Sequence, residues 1–358
     1  MATAESLQPR TYVGFDTITR QIEKKMLKRG FQLNVMVVGQ SGLGKSTLIN
    51  TIFSSHLADS RGRRSPIEPV RQTTEVTPTS HVIEENGVRL KLNIVDTPGY
   101  ADKVNNDRCW EPIVKYIKDQ HMMYLRKELT AQRDRFINDT RVHCLLFFIA
   151  PTGHSLKTLD ITVLKKLADI TNVVPVIAKS DALTLEERAA FKARIHEEFA
   201  AHHLKMYPYD SDLLDEDERA MNTHIRAMLP FAVVGSENDI VVDGKVVRGR
   251  KSRWGVVNVE NENHCEFISL RNFLTRTHLQ DLIDSTSQVH YENFRSKQLL
   301  AMRDNGTSSS SSARPISPAS NANLAGTASS QAMEYGKPSG DYYSSGGGAQ
   351  LDPRTMVH

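Results

Sequence analysis

The chain has 358 residues, with 45 lysines and arginines against 42 aspartates and glutamates, so its charge is nearly balanced. This balance excludes a general affinity for polyanions such as nucleic acid, and any basic surface must be local. Three cysteines without a C-x-x-C spacing favour reduced thiols in the cytosol over disulfides or metal ligands. We expect a soluble intracellular protein, because the sequence contains neither an apolar signal segment nor an apolar run of about 20 residues.

The first predicted element is a leader, residues 1–30, which ends in a basic segment with helical spacing. "RQIEKKMLKRG" places five cations on one side of a helix: Arg20, Lys24, Lys25, Lys28 and Arg29. Such a face attracts anionic lipid by about 1 kcal/mol per cation near the membrane surface. A solvated helix face with Glu23 nearby explains the same pattern, so the residues alone leave both interpretations open.

The next stretch, "VVGQSGLGKSTLIN", has the complete spacing of a phosphate-binding P-loop between a predicted strand and a predicted helix. Glycines let backbone N–H groups turn toward a phosphate, and the helix N-terminus adds its positive dipole end. Lys45 is expected to bridge the β- and γ-phosphates, and Ser46 to bind Mg²⁺ through its hydroxyl oxygen. The predicted phosphate site consists of Gly39, Gln40, Ser41, Gly42, Leu43, Gly44, Lys45, Ser46 and Thr47.

Short apolar runs then recur through the central part of the chain, and most are separated by stretches long enough for a helix. The runs lie at 35–38, 90–95, 144–149, 173–178 and 231–234. This alternation predicts parallel βαβ units, whereas Asn86-Gly87 between two alternating runs predicts one antiparallel hairpin. We therefore expect an α/β fold of the P-loop NTPase (Ras-like) type. Its sheet is mixed but mostly parallel, has helices on both faces, and binds ligand at the carboxyl ends of its strands.

Three of the predicted strands end in motifs that suit a guanine nucleotide. Asp96-Thr97-Pro98-Gly99 can hold Mg²⁺ through water at Asp96 and reach a γ-phosphate with the Gly99 N–H. Lys179-Ser180-Asp181 ends a later strand. A carboxylate there accepts hydrogen bonds from the N1–H and N2–H₂ edge of guanine, which adenine does not offer. Gly235 ends the last run, where its backbone either approaches the base or only terminates the strand.

The chain resembles the septin family from about residue 12 to about residue 300. The similarity rests on "GFQLNVMVVGQSGLGKSTLINTIF", "DTPGY", "DTRVHCLLFFIAPTGHSLKTLDI", "PVIAKSDALTLEE" and "HCEFISLRNFLTRTHLQDLIDSTSQVHYENFR". The last segment is similar to the septin unique element, which other P-loop GTPases lack. The sequence is closest to the fungal group without a C-terminal coiled coil, since no heptad pattern follows Leu300. The resemblance implies a GTPase domain at 31–302, with the unique element at about 236–302. The Ser/Gly-rich tail at 303–358 has almost no large apolar residues and cannot bury enough surface to offset its ordering entropy, so we expect it to be disordered.

The resemblance implies GTP or GDP with Mg²⁺ as ligands, and it extends the set of site residues. Nucleotide contacts are implied for Gly99, Lys179, Ser180, Asp181, Glu187, Gly235 and Arg250, the last lying over the base or ribose. A septin switch threonine, which contacts Mg²⁺ and positions the attacking water, falls on Thr73 or, one residue later, on Thr74. The implied catalytic residues are Thr73, Lys45 and Gly99, and the implied metal ligands are Ser46, Thr73 and, through water, Asp96. We expect slow hydrolysis, because Tyr100 stands where many fast GTPases carry a water-orienting glutamine.

The resemblance also implies partners and a cellular role. Septins assemble with other septins through a G interface that buries the nucleotide and an NC interface built from terminal helices. His154 and Trp254 are implied at the G interface, and a septin polybasic segment that binds phosphoinositides favours the membrane interpretation of the leader. The expected function is a cytoskeletal subunit of hetero-oligomeric rods and filaments at the cell cortex, septum or bud neck, with a scaffold role in cytokinesis and septation. The alternative is a monomeric regulatory GTPase with exchange and activating partners, and the segment that resembles the septin unique element argues against it.

Overall fold

The structure is a computed structural model that describes residues 14, 16–55, 57, 76–100, 106–130, 137–210, 215–242, 244–252 and 255–310. Almost all of these residues belong to one compact unit, Met1–Thr307. The other unit, Ser308–His358, is described only at its first three residues, 308–310.

A six-stranded sheet with the order β2-β3-β1-β4-β5-β6 forms the centre of the first unit. Its strands are β1 (Phe31–Gly39), β2 (Thr77–Glu85), β3 (Val88–Asp96), β4 (Cys144–Ile149), β5 (Val173–Ile177) and β6 (Phe231–Ala232). All neighbouring pairs are parallel except β2 with β3. The predicted mixed, mostly parallel sheet is therefore confirmed, and β4 occupies the residues at which the sequence predicts it.

The antiparallel pair is closed by the predicted two-residue turn. Glu85 lies opposite Val88, and Asn86 and Gly87 both have positive φ angles, 51° and 78°. Two successive left-handed residues give the turn a twist that matches the twist of the flanking strands. This explains why asparagine and glycine occupy the turn.

Helices cover both faces of the sheet, as the sequence predicts. They are α2 (Lys45–Ile52), α3 (Glu111–Leu129), α4 (Thr158–Ala168), α5 (Leu185–Ala201) and α6 (Glu216–Met228). Successive residues of a strand point to opposite faces, and β1 follows this rule. Val35 and Val37 join the hydrophobic cluster that contains α2, whereas Met36 and Val38 join the cluster that contains α3, α4 and α5.

The segment that resembles the septin unique element contains a small antiparallel sheet and a run of helices. The sheet consists of β7 (Asp239–Val242), β8 (Lys245–Ser252) and β9 (Gly255–Asn258). The helices are α7 (Phe267–Asn272), α8 (Leu279–Ser285) and α9 (Glu292–Ser310), with π-helical turns at Phe273–Thr277 and Thr286–Tyr291. Leu270, Phe273 and Leu282 are buried in the same cluster as α2, so this segment forms part of the core.

The two ends of the described chain are helical. Helix α1 (Asp16–Arg29) is exposed at residues 17–28. Helix α9 continues to Ser310, past residue 303, where the sequence places the start of the tail. Lengthening an existing helix adds one hydrogen bond for each residue fixed, so a polar segment can extend it by a few turns. In the part of the chain that the structure describes, no helix is both long and apolar enough to span a bilayer.

Candidate nucleotide-binding site

The P-loop connects the end of β1 to the start of α2, and its glycines have steric reasons to be there. A β-carbon on Gly39 would lie 2.6 Å from the β-carbon of Phe148, so no larger residue fits where β1 meets β4. Gly42 and Gly44 have φ angles of 79° and 87°, which side chains with a β-carbon rarely adopt. These three positions let the backbone wrap closely around a bound group.

Lys45 and Ser46 begin α2 directly after this loop. The Lys45 ammonium group is buried and donates hydrogen bonds to the carbonyl oxygens of Gly39 and Gln40, at 3.0 and 3.1 Å. The Ser46 hydroxyl donates to Oδ2 of Asp96 at 3.4 Å, because β3 pairs with β1 and ends beside the loop. A cation and a hydroxyl–carboxylate pair thus lie together at the helix N-terminus, where they suit phosphate and Mg²⁺.

The possible metal ligands fit Mg²⁺ better than a softer metal. Magnesium keeps several waters and takes one or two protein oxygens together with phosphate oxygens. Ser46 and Asp96 supply such oxygens, and the described residues contain no cluster of three or more histidine, cysteine, aspartate or glutamate side chains able to hold a metal. The predicted third ligand, Thr73, and its alternative, Thr74, lie outside the described residues.

The turn after β3 is anchored to the core on both sides of Gly99. The buried Thr97 hydroxyl donates to the carbonyl oxygen of Val37 at 2.7 Å. Tyr100 is also buried, and its hydroxyl donates to Oδ1 of Asp160 at 2.6 Å. Burial raises the pKa of the Asp160 carboxyl group, and the hydrogen bond from Tyr100 opposes that rise. The aromatic side chain is therefore fixed in the core, and no local pattern in the sequence indicates its partner, Asp160.

The residues after β5 have unsatisfied acceptors that suit guanine. Lys179 adopts a left-handed conformation, φ 48°, and opens a short 3₁₀ turn, Ser180–Ala182. Ser180 Oγ and Asp181 Oδ1 are buried and have no hydrogen-bond partner among the described residues. The other carboxylate oxygen of Asp181 forms an ion pair with the guanidinium group of Arg250. A buried acceptor normally has a donor, so Asp181 fits the N–H edge of guanine.

A cavity of about 130 Å³ lies between these elements. Its lining comes from five segments of the chain: Leu43, Gly44, Thr47, Leu48, Phe148, Ala178, Lys179, Val233, Gly235 and Arg250. A β-carbon on Gly235 would lie 3.0 Å from the backbone N and Cα of Leu48, so glycine lets this segment approach α2 closely. The structure thus brings the predicted P-loop, Lys179, Gly235 and Arg250 to one place. Leu48, Phe148 and Val233 were not predicted, because only the strand order brings them there.

Other predicted residues lie apart from the cavity lining or outside the described chain. Glu187 is exposed and forms a capping box with Thr184 at the start of α5. Hydrogen bonds from the backbone and side chain of Thr184 lower the pKa of Glu187. His154 is exposed on the loop between β4 and α4, and its backbone N–H donates to the Thr152 hydroxyl at 3.5 Å. Trp254 is outside the described residues.

The strand ends that meet around this cavity make the molecule a P-loop nucleotide-binding protein with a Ras-like sheet. Comparison with known proteins narrows the class. The septin family model matches residues 29–308. Septin homolog spn2 of Schizosaccharomyces pombe is 62% identical over 304 residues, covering 85% of this chain and 92% of that protein. Cell division control protein 10 of Saccharomyces cerevisiae is 57% identical over 312 residues, covering 87% and 97%.

The similarity extends beyond fungi and to a solved structure. Neuronal-specific septin-3 of Homo sapiens is 50% identical over 299 residues, covering 82% of each chain. The crystal structure of a septin GTPase domain from Chlamydomonas reinhardtii covers 74% of this chain and 98% of its own, with a TM-score of 0.55 and 24% identity, which supports the fold. The chain belongs to the septin family. It is therefore a GTP-binding protein of the septin cytoskeleton, and the resemblance seen in its sequence is confirmed.

Proposed function

We propose that this chain is a filament subunit that binds GTP or GDP with Mg²⁺, hydrolyses GTP slowly and assembles with other septins into hetero-oligomeric rods. These rods and filaments act as a scaffold in cytokinesis and septation at the cell cortex and division site. The observation that carries the proposal is the buried Oδ1 of Asp181, which has no hydrogen-bond partner among the described residues; the other oxygen of Asp181 pairs with Arg250, which lines the P-loop cavity. Such an acceptor suits guanine and excludes adenine, which would leave it unpaired.

In this proposal the residues of the site have separate roles. Lys45 would neutralise charge on the β- and γ-phosphates, the Gly99 N–H would contact the γ-phosphate, and Thr73 would position water. Ser46, Asp96 and Thr73 would hold Mg²⁺, which supplies further charge neutralisation when bound. Hydrolysis is slow in this proposal because the Tyr100 hydroxyl is bonded to Asp160 and cannot orient water as a glutamine would.

The proposed partners are other septins and an anionic membrane surface. Two relatives bear the name cell division control protein 10, and exposed His154 suits a contact surface between subunits, with Trp254 as a second residue there. For the membrane, Arg20, Lys24, Lys25 and Lys28 are exposed on α1, followed by Arg29 at its end. A cluster of this size suits phosphoinositide headgroups.

Nucleotide binding and assembly test the proposal together. The chain, co-expressed with septins of its own cell, is titrated with fluorescent guanine and adenine nucleotides and then sedimented at high and low salt. We expect binding of guanine nucleotides alone, slow single-turnover hydrolysis, and filaments that pellet only at low salt. Equal binding of adenine nucleotides would contradict the guanine site. A monomer at every salt concentration, with turnover limited by an activating partner, would instead indicate a regulatory GTPase.

Vesicle flotation tests the lipid contact separately. The triple variant Lys24→Ala, Lys25→Ala and Lys28→Ala should lose binding to phosphoinositide vesicles at moderate salt, because each cation contributes about 1 kcal/mol. The matched control removes three exposed lysines from α3, namely Lys115, Lys118 and Lys127. It should float like the unaltered chain. Equal flotation of both variants would rule out α1 as the lipid-binding element.

A further inference from the structure

Tyr100 lies where the nucleotide site meets the rest of the core. Tyr100 directly follows Gly99, the last residue of the turn Asp96-Thr97-Pro98-Gly99, which we call the γ-phosphate turn. Any displacement of that turn therefore acts on the Tyr100 backbone. Its side chain is 3% exposed, and its ring stacks on Phe147 of β4 with 5.6 Å between ring centroids. Its hydroxyl donates to Asp160, which is 4% exposed. The hydrogen bond between Tyr100 and Asp160 thus joins the turn after β3 to the first turn of α4.

Asp160 also holds the loop that precedes α4. It is the third residue of that helix, and it accepts a hydrogen bond from the backbone N–H of Lys157, the residue before the helix. A carboxylate at this position satisfies one of the free N–H groups at a helix start. The loop between β4 and α4 carries exposed His154, and its last side chain, Lys157, reaches Oε1 of Gln40 in the P-loop at 3.5 Å. Asp160 therefore touches both the γ-phosphate turn and the base of this exposed loop.

We propose that Tyr100 is a positioning residue that couples the γ-phosphate turn at Gly99 to the exposed His154 loop through its hydrogen bond to Asp160. The inference rests on the proposed function, because it needs a guanine nucleotide in the cavity. Separating two buried polar groups is costly, so the bond is either made or broken and acts as a two-state element. Coupling of this kind is reciprocal: whatever binds the loop also changes the preference for GTP over GDP.

Hydrogen exchange of the full chain tests the coupling. The amides of residues 150–160 are compared in the presence of GDP and of a non-hydrolysable GTP analogue. In the unaltered chain we expect slower exchange with the analogue, since a contact at Gly99 stabilises the turn and the bond behind it. Tyr100→Phe removes only the hydroxyl and keeps the ring on Phe147. It should bind both nucleotides but reduce the difference in exchange by roughly tenfold, the effect expected for one hydrogen bond to a buried carboxylate.

Two further variants separate coupling from general destabilisation. Tyr207→Phe is the matched control, since Tyr207 is fully buried and its hydroxyl donates to Asp281 at the opposite end of the sheet. It should keep the nucleotide-dependent difference. Asp160→Asn weakens the Tyr100 bond from the acceptor side, and combining it with Tyr100→Phe should cause no loss beyond that of Tyr100→Phe alone. These two results would support the coupling, and Asp160→Asn would still test it if Tyr100→Phe did not fold.

The outcomes distinguish this inference from the proposed function. If the unaltered chain bound no guanine nucleotide, the proposed function would fail and take the coupling with it. If it bound GDP and the analogue but residues 150–160 exchanged alike with both, only the coupling would fail. The coupling would also be overturned if Tyr100→Phe kept the full difference, if Tyr207→Phe lost it, or if the losses from Tyr100→Phe and Asp160→Asn were additive.

Discussion

The substitution Asp181→Asn should exchange guanine specificity for xanthine specificity. One carboxylate oxygen of Asp181 pairs with Arg250, and the other is buried without a hydrogen-bond partner among the described residues, so it can accept from guanine. An asparagine keeps an acceptor oxygen for the N1–H of guanine but turns its NH₂ donor toward the N2–H₂ donor, so one hydrogen bond to a charged group is lost and the other becomes neutral. A hydrogen bond to a charged group is worth about 1.5–3 kcal/mol and a neutral one about 0.5–1.5 kcal/mol, which gives a total loss of about 2.5–4.5 kcal/mol. The affinity for GDP should therefore fall by roughly 10²- to 10³-fold.

Xanthine has an oxygen where guanine has its amino group, and that oxygen can accept from the new amide. Titration with fluorescent GDP and xanthosine diphosphate measures both affinities, and the ratio of the two should invert in the variant. Asp119→Asn, on the exposed face of α3, is the control and should leave the ratio unchanged. If Asp181→Asn kept GDP affinity within tenfold, or bound both nucleotides equally weakly, the assignment of Asp181 as the base-reading residue would be wrong.

Three other substitutions test the P-loop and the packing of the rest of the fold. Gly39→Ala forces a β-carbon to within 2.6 Å of Phe148, so we expect about 1–3 kcal/mol lower stability in urea unfolding and weaker nucleotide binding. The Lys192 ammonium group pairs with the Glu266 carboxylate at 2.6 Å. Lys192→Met removes this cation and leaves the carboxylate without it, which should lower the free energy of unfolding by about 3–5 kcal/mol. Burial, with a lesser contribution from the charge of Arg141, lowers the pKa of His121 to about 4 from 6.5. The unfolded chain therefore takes up a proton first, and stability falls as the pH drops from about 6.5 to about 4, a loss that His121→Leu should reduce.

Each of these expectations has an outcome that would contradict it. An unaltered urea midpoint for Gly39→Ala would mean that β1 and β4 can separate without cost. Lys165→Met, at an exposed position, is the control for Lys192→Met, and adding Glu266→Gln should restore part of the lost stability. For the pH dependence, His224→Gln is an exposed control. A His121→Leu variant with the same slope between pH 6.5 and 4 would assign that slope to other groups.

Local patterns in the sequence predict most of the central sheet. β4 was predicted at the residues it occupies, because a buried parallel strand is a continuous apolar run, and the hairpin at Asn86-Gly87 follows from turn chemistry. Glu187 shows that one residue can fit both a family resemblance and a local pattern. The resemblance suggested a nucleotide contact there, yet the spacing Thr184-x-x-Glu187 is itself a capping-box pattern, and the structure contains that box.

Contacts between distant residues have no such local signal. Tyr100 and Asp160 are sixty positions apart, and Asn172 is more than a hundred positions from the α8 residues that it binds. Asn172 donates to the carbonyl oxygens of His143 and Leu282, at 2.9 and 3.1 Å, and so joins β4 to the C-terminal helices. Such partners depend on strand order and helix placement, which the pattern of apolar residues leaves undetermined.

The two ends of the sheet differ in their buried polar groups, and the difference fits the proposed nucleotide site at the carboxyl end. At the amino end, buried Arg141 has a nitrogen without a hydrogen bond among the described residues, but its guanidinium group lies 3.9 Å from the centre of the Tyr124 ring and pairs with Asp139 at 2.7 Å. Cation–π contact and charge pairing offset its desolvation within the fold. At the carboxyl end, one oxygen of Asp181 pairs with Arg250, but its Oδ1 and the Ser180 Oγ have no hydrogen-bond partner among the described residues. Each such oxygen costs about 1–3 kcal/mol. A fold can retain that cost where a donor arrives from outside, and in the proposed site a guanine ring would supply the donors for Asp181.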